Sequence, residues 1–81
     1  MSDFKIVDLA SQGSAVAQHV RGWQKEEILA WLGRRGKLRA VHPDDPDVYS
    51  FLTPAGIQTA FILRDNGEFL IVADHTTYRL E

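Results

Sequence analysis

The 81-residue chain has no cysteine, one methionine and three prolines, and nothing in it approaches the roughly 20 consecutive apolar residues of a membrane span. Without cysteine there is no disulfide staple, no thiolate metal site and no cysteine nucleophile. The redox compartment is left open, though a reducing cytoplasm suits the composition. The start, Met1-Ser2-Asp3-Phe4-Lys5, lacks the basic opening and apolar run of a secretion signal, so the expectation is an untargeted cytoplasmic protein that does not enter membranes. There is no repeat, no low-complexity segment, no phosphate-cradling glycine loop and no helical metalloprotease motif. A chain this short buries only about 60 to 65% of the surface its unfolded form exposes, which leaves little for a deep, many-walled pocket. One domain over residues 1–81, with no large catalytic apparatus, is the expectation.

What is present is apolar: 44% of residues are hydrophobic, too many for a disordered chain, and packing alone must hold the fold. From Ser11 to Arg35 the pattern is helical. Ser14 is placed to cap a short helix carrying Val16 and Val20, with Gly22 to end it in a left-handed conformation. A second helix is better specified. With Gln24 as N-cap, Trp23 precedes it and faces Ile28 as a hydrophobic staple, while Glu27 falls where a capping carboxylate belongs. Glu26 and Glu27 occupy the positive first turn, Arg34 and Arg35 the negative last turn, and Gly36 the stop. At about 100° per residue, Ile28, Leu29, Trp31 and Leu32 share one arc.

After Gly36 the period becomes two, with candidate strands at 37 to 42, 47 to 53, 57 to 64, 68 to 74 and 77 to 80. His42-Pro43-Asp44-Asp45-Pro46-Asp47 reads as a rigid polar loop and Thr53-Pro54-Ala55-Gly56 as a turn. Asp65-Asn66-Gly67 is the strongest hairpin signal, because Asn-Gly accepts positive φ at both central positions. Links this short join antiparallel neighbours. The expected fold is α+β: one or two N-terminal helices on an antiparallel meander of four to five strands, curled at most toward a small barrel. The order of elements is also that of Sm-like barrels, a topological analogy with no motif behind it. Both faces of the central strands are apolar. One suits the helices; the other calls for Phe4-Lys5-Ile6-Val7, barrel closure or a partner chain.

Charge is segregated. Residues 21–39 hold six cations against two acids, and the rest of the chain three against nine. Arg34, Arg35, Lys37 and Arg39 are the candidate binding residues, a basic corner suited to an anion, a phosphate backbone or an acidic protein surface. The plainer reading has Arg34 and Arg35 complementing the helix dipole and Lys37 and Arg39 lining the solvent face of an edge strand. A winged helix-turn-helix is disfavoured, because Glu26 and Glu27 would meet the phosphates with the wrong sign. Tyr49 and Phe51 alternate on a strand beside the basic one, a spacing also found on sheets that stack bases.

No convergent catalytic or metal-binding set emerges. His42 with Asp44 and Asp45, and Asp74 with His75, sit in loops that a flat meander sends to opposite ends, which disfavours a shared metal site. Asp74 and His75 are neighbours on a strand and point to opposite faces, so the acid does not orient the imidazole toward Thr76 or Thr77. The expected function is therefore a small regulatory interaction module, not an enzyme and without cofactor or metal, that binds a protein or a second copy of itself. A nucleic-acid-binding module using residues 34–39 is the alternative.

Overall fold

The computed structural model describes residues 4–81; Met1–Asp3, on which part of the untargeted reading rests, lie outside that range. Two helices, α1 (Gly13–His19) and α2 (Lys25–Gly33), precede five strands: β1 (Lys37–Ala40), β2 (Val48–Leu52), β3 (Gln58–Leu63), β4 (Glu68–Ile71) and β5 (Thr76–Arg79). The strands pair antiparallel in the order β1-β2-β3-β4-β5, so the α+β meander is as expected. The sheet stays open. β1 and β5 are its two edges, and the anticipated curl toward a barrel does not close. Among the described residues no helix is long and apolar enough to cross a membrane.

α2 forms where its signals stand. Gln24 is the extended N-cap and its N–H donates to Glu27 Oε1 at 3.1 Å. Ile28, Trp31 and Leu32 are buried along the anticipated arc. Arg34 is the C-cap rather than a last-turn residue, and Arg35 follows it. Gly36 is not a left-handed stop. A Cβ there would lie 2.5 Å from the Leu52 carbonyl oxygen and 2.7 Å from the Phe51 ring, so glycine is required by the close passage of the chain against β2. Ser14 does not cap α1. Gln12 holds that position and spends its side chain on the preceding segment, with Nε2 donating to the Lys5 carbonyl and Oε1 accepting from the Val7 and Asp8 N–H groups.

Two hairpins share one geometry. The Gly56 and Gly67 N–H groups donate to the carbonyls of Thr53 and Arg64, at 2.9 and 3.2 Å, and both glycines have φ near +90° (+89° and +87°). This is a type I turn followed by a left-handed residue. Positive φ at both Asn66 and Gly67 is therefore not observed: the Asp65-Asn66 pair makes the turn, Gly67 alone is left-handed, and Asn66 Oδ1 accepts from the Glu68 N–H.

The register sorts the two faces of the sheet. Leu38, Phe51 and Thr59 lie side by side, as do Tyr49, Phe61 and Ile71, and then Leu63, Phe69 and Tyr78. These face the helices and, with Ile6, Leu9, Val16, Val20, Ile28, Trp31, Leu32 and Leu80, build the core. The N-terminal segment thus joins the helix layer and does not cover the second face, one of the roles open to it from sequence. On that second face Val48, Ile62 and Leu70 stand in one row across three strands, half-buried by one another and outside the core.

Candidate functional site

The most constructed surface lies where the N-terminal segment meets the end of α2. Arg35 donates from Nε to the Phe4 carbonyl at 2.8 Å and from Nη1 to the Trp31 carbonyl at 3.1 Å, and its guanidinium carbon sits 4.3 Å from the centroid of the Trp31 ring system. Trp31 is in turn stacked on His19 (4.9 Å) and met edge-on by Phe4 (5.4 Å). Half-buried and held on three sides, Arg35 is immobilised. No carboxylate among the described residues lies within ion-pair distance of it.

Beside it opens a groove of about 650 Å³. Phe4, Ile6 and Val7 form one wall and the β2–β3 turn at Pro54 and Ala55 another. Lys5, Arg34 and Arg35 supply three cations, and among the described residues no aspartate or glutamate lines it. Nothing local in the sequence marks the groove, because its walls come from segments about 30 and 50 residues apart in the chain.

The four candidate cations are not gathered at one corner. Arg34 and Arg35 line the groove in the helix layer, whereas Lys37 and Arg39 alternate with inward-facing Leu38 and so stand on the opposite face of the sheet, opposite Leu52 and Ser50. Tyr49 and Phe51 both face the helices, Phe51 fully buried and Tyr49 stacked on Phe61 at 5.5 Å, so neither offers a face for a base.

At the far end of the sheet lies an ionic cluster that the sequence does not announce. Lys25, at the first position of α2, pairs with Asp47 and lies 3.6 Å from Asp65; Arg64 Nη1 reaches Asp45 at 2.9 Å and Asp47 at 3.1 Å. The hydrogen bonds from Lys25 and Arg64 hold the Asp47 carboxyl below the usual carboxylate range. Burial works to lower the Lys25 ammonium, but the Asp47 hydrogen bond and the charges around it outweigh that and raise it. The cluster ties α2 to the β1–β2 loop and the β3–β4 turn. It is a clamp, since each of its charges has a partner of opposite sign, with Lys25 and Asp47 the more buried members and Asp65 the exposed one.

His42 belongs to the same loop and uses Nδ1 to accept from the Asp44 and Asp45 N–H groups, both at 3.1 Å. His75, at φ 56°, sits in the β4–β5 turn, where Asp74 Oδ1 accepts from the Thr76 N–H. The strand order puts these two loops at opposite ends. Among the described residues no group of three or more histidines and carboxylates is placed to hold a metal ion. No family model, curated protein or solved structure matches the chain.

Proposed function

We propose that the chain is a small non-catalytic interaction module that binds a protein, either a partner or a second copy of itself, through the uncovered face of its sheet. The observation that carries this reading is the row of Val48, Ile62 and Leu70, aliphatic across three neighbouring strands on a face that neither helix nor the N-terminal segment reaches. Lys37, Arg39, Glu68 and Arg79 rim it with both signs of charge, the arrangement of an apolar centre in a polar margin. A regulatory role in the cytoplasm fits such a module and belongs to the same proposal. The nucleic-acid alternative has weaker support, because its four cations are divided between two faces.

The test compares the wild type with Ile62→Lys, a change on the second face and outside the core. Sedimentation at tens of micromolar, and affinity capture from lysate with and without nuclease, should show self-association or a nuclease-resistant protein partner that Ile62→Lys abolishes without lowering the melting midpoint. If neither association depends on Ile62, the reading fails.

A further inference from the structure

We propose that the groove between the N-terminal segment, the end of α2 and the β2–β3 turn docks a peptide segment of a partner protein that carries carboxylates beside apolar side chains. The inference does not rest on the sheet face, since the groove lies in the helix layer.

Charge is the first argument. The chain as a whole is acidic, with a net charge of -2, yet this groove is lined by Lys5, Arg34 and Arg35 and, among the described residues, by no acid. The charged side chains that an incoming carboxylate meets among the described residues are therefore all cations. The negative end of the α2 dipole is offset in part by Arg35, which donates to the Trp31 carbonyl in the last turn.

Arg35 is the second. A guanidinium has five N–H donors in a fixed plane; here one is spent on each of two backbone carbonyls, and the ring of Trp31 covers a face. The remaining donors have no partner side chain among the described residues. An arginine already fixed in place loses little further freedom on engaging an anion, and its fork matches the two oxygens of a carboxylate. Such a residue is organised in advance for a ligand that the chain does not itself supply within the described residues.

The third argument is the apolar wall. Phe4, Val7 and Pro54 offer hydrophobic contact, which a phosphate backbone would not use and an acidic segment interspersed with leucine-like side chains would. At about 650 Å³ the groove is in the range of ligand clefts but lies open to solvent, which suits a passing segment better than an enclosed small molecule.

The experiment titrates the full chain into two fluorescein-labelled octapeptides, one alternating Glu with Leu and one alternating Gln with Leu, and follows anisotropy. The Glu peptide should bind, more weakly as salt rises, and at least about tenfold more tightly than the Gln peptide. Val7→Glu and Arg34→Glu alter exposed positions, so the fold and its melting midpoint should survive while affinity for the Glu peptide drops by about tenfold or more. Ile62→Lys should leave that affinity unchanged. Equal binding of the two peptides, no binding at millimolar concentration, or indifference to Val7→Glu and Arg34→Glu overturns the proposal. Loss of binding in Ile62→Lys would move the peptide to the sheet face and also overturn it. So would displacement of the peptide by a single-stranded oligonucleotide at micromolar concentration, which would make nucleic acid the occupant.

Discussion

The two tryptophans have opposite surroundings although they lie eight positions apart on the same side of the molecule. Trp31 is 3% exposed and sits among Phe4, His19 and the Arg35 guanidinium; Trp23 is 36% exposed and meets His19 and Trp31 edge-on at 5.5 and 6.1 Å. Removing a buried tryptophan costs ~3 to 5 kcal/mol through lost contact and the cavity left behind. Domains of this size have only about 5 to 10 kcal/mol in all. Trp31→Ala should therefore be largely unfolded near 37 °C, and it should also release Arg35 and Phe4. Trp23→Ala should cost less, on the order of 2 kcal/mol, because about a third of its surface is already in water and its removal leaves a dent open to solvent rather than an enclosed cavity. Denaturant melts of the two variants check this ranking. Equal midpoints would mean that Trp31 does not anchor the N-terminal segment.

At the scale of elements, the helix signals and the turn signals worked through different physics. Gln24 and Glu27 act within one turn of chain, so local chemistry was enough to place the start of α2. Its end falls at Gly33, earlier than the expected stop, and Gly36 answers to β2 and not to the helix. Gly36→Ala would press a methyl group onto the Leu52 carbonyl and the Phe51 ring, both part of a paired strand and neither free to retreat. Overpacking of this kind costs ~1 to 3 kcal/mol, and here the upper end is expected. Urea melts check it: a variant as stable as the wild type would show that the α2–β1 connection has slack. The Asn66-Gly67 hairpin makes a related point. The sequence located the turn, but the choice of a three-residue geometry with one left-handed residue depended on where β3 and β4 came into register.

For the whole molecule, the ionic clamp joins the three parts of the chain that the meander alone leaves independent at that end. Asp47 is held below its ordinary range by Lys25 and Arg64, so its contribution is present above about pH 4 and is lost as pH falls through the lowered value. The raised Lys25 behaves in the opposite sense: its contribution stands at neutral pH and is lost only as pH climbs past the ordinary lysine range. Asp47→Asn should lower stability at pH 7 by about 1 to 2 kcal/mol, and stability should then decline less steeply between pH 4 and pH 2 than in the wild type. Urea melts at three pH values test both statements together; an unchanged acid slope would mean the clamp carries no net free energy.

The sequence by itself was enough for the class of fold, the start of α2 and its buried arc, and the antiparallel succession of the strands, whose number it left at four to five. Each of these rests on interactions within a turn, a hairpin or a strand's own alternation, and those are written in consecutive residues. It also showed that both faces of the sheet are apolar, but not which one the helices would take or that the N-terminal segment would join them there. That choice, the open edges of the sheet, the division of Arg34 and Arg35 from Lys37 and Arg39, and the pairing of Lys25 and Arg64 with Asp47 belong to the tertiary structure alone. The reason is register. Which side of a strand a residue occupies changes with a shift of one position, and contacts between segments 20 to 50 residues apart exist only after every intervening element has been placed.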